Sequence, residues 1–151
     1  MQLFYSRRQL QNAAGQMDNT GFGFELNSFK WSCVIGTTGG FELDDQVSIS
    51  DDVFAETYSR LAREVYEKTG IYVSAAITRS RVVYHEDWGC PKTGEYSFTL
   101  SGSCNPAFSE PAEYIAALKE LAGRLKKEWK QTTLLMEITP ASVIYMRNDD
   151  R

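Results

Sequence analysis

Tyr96-Ser97-Phe98-Thr99-Leu100-Ser101-Gly102-Ser103 is the stretch that decides the fold. Its large apolar side chains, Tyr96, Phe98 and Leu100, fall on every second residue, and hydroxyls fill the places between them. Period two marks an extended strand, because successive side chains point to opposite faces of a sheet. One face of this strand is apolar and the other is a ladder of hydroxyls. That pattern suits an antiparallel sheet with one face on a core and one face open.

Upstream, Ile71, Val73, Ala75 and Ile77 share one parity, whereas Val82 and Tyr84 share the other. The change of phase predicts a β-bulge near Thr78 to Ser80. It would turn Arg79 or Arg81, with Val83 and His85, onto the hydroxyl face. The two strands are joined by a loop containing Gly89, Pro91 and Gly94, a hairpin connection.

Each strand of this pair has an amphipathic helix on its far side. Phe54, Tyr58, Leu61 and Val65 lie at helical spacing, as do Tyr114, Leu118, Leu121, Leu125 and Trp129. Ser48 or Ser50 is the expected N-cap of the first helix, with Asp51 and Asp52 in its first turn and Gly70 just past its end. Ser109 is the expected N-cap of the second, with Pro111 in its first turn and Arg124, Lys126, Lys127 and Lys130 near its end. Beyond the helices lie outer strand patterns. Leu134, Met136 and Ile138 share one parity, Pro140 then bends or ends that strand, and Val143 to Met146 continue as an extended apolar segment. Phe22, Phe24 and Leu26 form one alternating run and Phe29, Trp31, Cys33 and Ile35 another, and Asn27-Ser28 between them reads as a turn.

The order β-α-β-β-α-β is the split βαβ, or ferredoxin-like, arrangement. The predicted fold is α+β: an antiparallel sheet with two helices on one face and an N-terminal β-hairpin extension. The expected organisation is a single domain over residues 1–151. Residues 1–36 form the extension, 37–146 the two-helix core and 147–151 a frayed tail. A short strand over residues 2–5, a short helix within 6–19 and a loop from Gly36 to Asp45 complete the expectation.

Composition narrows the function classes. The 151-residue chain carries a formal net charge of -4. An acidic chain lacks the basic face that a general nucleic-acid binder needs to displace counterions from phosphates. Gly21-Phe22-Gly23-Phe24 resembles the start of the ribonucleoprotein-1 signature of RNA-recognition domains. The match fails at Thr20, Glu25 and Asn27, and it precedes the first helix. Three cysteines, an odd number without metal-type spacing, suit free thiols in a reducing cytoplasm. No apolar stretch approaches the roughly 20 residues that span a bilayer, so the expected location is cytoplasmic, away from membranes.

Few constellations carry chemistry. His85, Cys90 and Cys104 do not make a metal site, because Cys104 would lie roughly 23 Å from the hairpin tip at ~3.3 Å per residue. His85 and Cys90 could form a nucleophilic pair at that tip, with Glu86 or Asp87 as orienting group. Gly36-Thr37-Thr38-Gly39-Gly40 lacks the Lys-Ser/Thr ending of a phosphate-binding loop and reads as a turn. Helix capping accounts for Asp51 and Asp52. The open sheet face offers more: Ser97, Thr99 and Ser101 beside Arg79, Arg81 and His85, with Trp88 at the tip. Hydroxyls near guanidinium groups suit recognition of phosphate or carboxylate.

The first reading is a non-enzymatic protein that captures a small anionic or nucleotide-like ligand. Size and character suit a phage or mobile-element accessory protein that sequesters a signal or counters a defence. The expected ligand set is Arg79, Arg81, His85, Trp88, Ser97, Thr99 and Ser101. No motif points to a cofactor, and an open sheet face favours a homo-oligomer. The second reading is an inhibitor module acting on a protein partner through Trp88 and acidic loops. The third is a small hydrolase or lyase built on His85 and Cys90.

Overall fold

A computed structural model describes residues 24–37, 48–146 and 148. The expected elements within residues 2–19, most of the Gly36–Asp45 loop and most of the tail lie outside the described residues.

Helix α1, Asp51–Thr69, starts where the Ser50 hydroxyl accepts the Val53 amide at 3.1 Å. It ends at Gly70, whose φ of 76° is the left-handed turn that glycine adopts without a Cβ clash. Helix α2, Pro111–Glu128, is capped one residue later than expected. Glu110 is its N-cap, without a side-chain cap hydrogen bond, and Pro111 takes the first helical position. A missing N–H costs nothing there.

The strands are β1 (Phe24–Gly36), β2 (Ala76–Val82), β3 (Glu95–Ser103) and β4 (Met136–Tyr145). They pair antiparallel in the order β2-β3-β1-β4. With α1 between β1 and β2, and α2 between β3 and β4, this is the ferredoxin-like arrangement. No described helix is long and apolar enough to cross a membrane.

The N-terminal hairpin does not form. Residues 24–36 run as one strand through the middle of the sheet, paired with β4 over Phe24–Cys33 and with β3 over Lys30–Gly36. The turn signal Asn27-Ser28 is overruled because its polar groups find partners in the sheet. The buried Ser28 hydroxyl donates to the Cys104 carbonyl at 2.7 Å, and the Cys104 amide donates to the Phe29 carbonyl at 3.1 Å.

The helices cover one face. Phe29, Trp31, Cys33 and Ile35 of β1 and Phe98 and Leu100 of β3 meet Phe54, Tyr58, Leu61 and Val65 of α1 and Tyr114, Leu118, Leu121 and Leu125 of α2. Phe54 stacks on Phe98 at 4.1 Å and on Trp129 at 5.5 Å. Each such side chain contributes roughly 1.5–3 kcal/mol on burial. Ion pairs tie the helices together on their outer side: Arg60 to Glu128, Arg124 to Glu64 and Lys68 to Glu120.

Candidate functional site

The register of β2 on β3 is continuous, from Ala76 opposite Ser101 to Val82 opposite Glu95. The bulge expected near Thr78 to Ser80 is absent. Arg79 and Arg81 therefore stay on the helix-side face, opposite Phe98 and Tyr96, and the expected grouping of these arginines with the hydroxyls fails. Both guanidinium groups lie over aromatic rings, 5.1 Å from the centre of Phe98 and 4.8 Å from that of Tyr96. A long stem and a cation–π contact let arginine sit at the border of an apolar face. Arg79 also donates to Asp51, Ser48 and the Ile49 carbonyl, fastening the entry of α1 to the sheet edge. Arg81 donates to the Thr93 carbonyl at 2.9 Å.

At the hairpin tip His85 and Cys90 are each engaged with backbone groups. His85 Nδ1 accepts the Asp87 amide at 3.1 Å, which opens the short 3-10 turn Glu86–Trp88. The Cys90 thiol sits between the Tyr84 amide and the Pro91 carbonyl. No hydrogen bond joins His85 to Cys90 among the described residues. Trp88 is exposed. The other two thiols are buried, and desolvation pushes both up to about 11. They stay protonated at neutral pH and are poor nucleophiles.

The hydroxyl face divides in two. Near the β2–β3 hairpin, Thr99 Oγ1 donates to Ser80 Oγ at 3.0 Å, and Ser80 lies 3.0 Å from Ser97 Oγ. Ser97 is only 1% exposed, so this end is an internally satisfied ladder. At the other end the side chains are small and the surface dips. One row across the strands reads Glu137, Ser32, Ser101, Ala76, and the next reads Thr139, Lys30, Ser103. These residues, rimmed by Ser74, Ala75 and Gly102, line an open depression of about 680 Å³. That volume falls within the roughly 300–1,000 Å³ of small-molecule sites. Neither Lys30 nor Glu137 is held in an ion pair among the described residues.

Of the seven expected ligand residues, only Ser101 lines this depression. Lys30, Ser32, Glu137 and Thr139 are new to it. Their signal was parity: Lys30 and Ser32 alternate with the core residues Phe29, Trp31 and Cys33 of β1, and Glu137 and Thr139 with the apolar Met136 and Ile138 of β4.

An antiparallel sheet with one face sealed by helices and a polar depression on the other is the frame of a small-molecule site. Residues 36–147 match the model of the family described as SAM lyase, about three quarters of the chain, and the chain belongs to that family. It is also similar to a solved structure, a phage SAM lyase in complex with S-methyl-5'-thioadenosine. The likeness has a TM-score of 0.52 at 18% identity and covers 78% of this chain and 90% of that one. It supports the fold. A comparison with curated proteins finds no match. The family overturns the expectation of a non-enzymatic capturing or inhibitor protein, because a lyase breaks a bond in the molecule it binds.

Proposed function

We propose that this chain cleaves S-adenosylmethionine at the bond between the sulfonium sulfur and the γ-carbon of the amino-acid moiety. The products are S-methyl-5'-thioadenosine and homoserine lactone. The observation that carries the reading is membership in the SAM lyase family over residues 36–147. The thioadenosine bound by the related phage structure fits the product side.

The chemistry balances without water or a protein nucleophile. One oxygen of the substrate's own carboxylate attacks the γ-carbon, and the C–S electron pair moves onto sulfur. A positive sulfonium and a negative carboxylate become a neutral thioether and a neutral ester, and no proton is transferred. Such a step gains from holding the carboxylate in line with the C–S bond and from excluding water, more than from acid–base groups. Such a reaction requires no paired Cys and His.

The open-face depression supplies groups of the right kind. Glu137 offers a carboxylate to the cationic sulfonium and ammonium end. Lys30, on the adjacent strand, can steer the substrate carboxylate. Ser32, Ser101, Ser103 and Thr139 offer hydroxyls to the ribose diol and the amino group. Arg79, Arg81, His85, Trp88, Ser97 and Thr99 take no part in this site.

The test is incubation of purified protein with S-adenosylmethionine in water enriched in oxygen-18, with products followed by mass spectrometry. Release of thioadenosine and unlabelled lactone, well above spontaneous breakdown, is the expected result. No release above that background would overturn the reading.

A further inference from the structure

We infer that Gly102, backed by the hydroxyls of Tyr114 and Tyr58, fixes the width of the depression and thereby the fit of the substrate's S-alkyl region. The inference rests on the site proposed above. A Cβ placed on Gly102 would lie 2.7 Å from the Ser74 carbonyl oxygen, 2.7 Å from Trp31 Nε1 and 2.8 Å from Trp31 Cε2. Glycine is needed here for close approach, because the Ser74 carbonyl and the Trp31 indole leave no room for a Cβ.

Both neighbours of Gly102 are tied down. Trp31 is 2% exposed, and its Nε1 donates to the Tyr114 hydroxyl at 2.9 Å. Tyr114 is itself buried and packs edge-on against Phe29. On the other side, the Tyr58 hydroxyl donates to the Val73 carbonyl at 2.8 Å, one residue before Ser74. Ser74, Ala75 and Ala76 form the rim of the depression. One tyrosine from each helix therefore holds one side of the contact that brings this rim against β3. Neither tyrosine lines the depression, so both are positioning residues. With Trp31 locked in the core, a methyl group on Gly102 must push the Ser74–Ala76 rim outward.

The experiment is steady-state cleavage of S-adenosylmethionine and of its S-ethyl analogue S-adenosylethionine, well below the melting temperature. Gly102→Ala should raise KM for S-adenosylmethionine about tenfold with little change in kcat, and shift the kcat/KM ratio about fivefold toward the ethyl analogue. Tyr58→Phe keeps the ring and removes only the hydroxyl. It should move KM and the ratio in the same direction by about threefold, and it stands if the alanine variant does not fold. Unchanged KM and ratio in a folded variant, beside active wild-type protein, would overturn this inference alone. Wild-type protein without activity on either sulfonium would overturn the proposed reaction, and the inference with it.

Discussion

The two faces of the sheet are built from the same strands, one residue apart, and they do different work. On the helix side, Trp31, Cys33, Ile35, Phe98 and Leu100 are almost wholly removed from water. On the other side Lys30, Ser32 and Ser101, their immediate neighbours, and Ser103 further along β3 stay accessible and small or polar. Alternation along a strand thus separates the core from the candidate site at the scale of a single residue. The open face is not uniform either. Its end near the β2–β3 hairpin has closed its hydroxyls into a ladder, while its other end keeps Lys30 and Glu137, in no ion pair among the described residues, beside a depression. The intramolecular reaction proposed above needs such a fitted surface more than it needs a nucleophile.

Substitutions on the two faces should therefore separate cleanly. Leu121, 1% exposed between helix and sheet, is the severest case. Leu121→Asp loses its packing and buries a carboxylate without a partner. It should cost at least about 4 kcal/mol and leave the chain largely unfolded by circular dichroism. A native melting curve for that variant would break the two-face picture at its base. Next comes Glu137→Gln, which keeps shape and removes charge. Turnover should fall about 100-fold while the melting temperature moves by no more than about 2 °C. Loss of stability in step with activity would mean that the open face is structural after all.

Ser97→Ala sharpens the division within the open face. It removes one member of the closed ladder and should cost about 1 kcal/mol in chemical denaturation, with turnover unchanged. The smallest effect belongs to the hairpin tip. His85→Ala and Cys90→Ala should leave the cleavage rate within about twofold of wild type, because neither side chain meets the depression. Abolished activity in either variant would move the chemistry to the tip.

The helices and the element order were legible because periodicity near 3.6 and 2 is imposed by burial itself. Phe54 to Val65, Tyr114 to Leu125, and Phe98 with Leu100 all pack where their spacing placed them. The misread places have physical causes. Asn27-Ser28 looks like a turn, yet Ser28 finds its acceptor in the Cys104 carbonyl, 76 residues away in sequence. Arg79 and Arg81 look like open-face residues, yet Phe98 and Tyr96 offer them ring faces on the core side. The apparent phase slip arose because Val82 and Tyr84 belong to the strand end and the loop beyond it, where burial no longer sets the pattern. The depression was hidden for another reason. Lys30, Ser101 and Glu137 meet only through the pairing of β1 with β3 and β4, and no local pattern encodes that meeting.

If the open end of the sheet holds the substrate, bound product must sit there. Titration of isotope-labelled protein with S-methyl-5'-thioadenosine, followed by backbone and side-chain NMR shifts, should perturb Lys30, Ser32, Ser101, Gly102, Glu137 and Thr139 together. Shifts centred instead on Arg79, Arg81 and Tyr96, or on His85 to Cys90, with the depression silent, would place the ligand elsewhere and rule out the depression as its site.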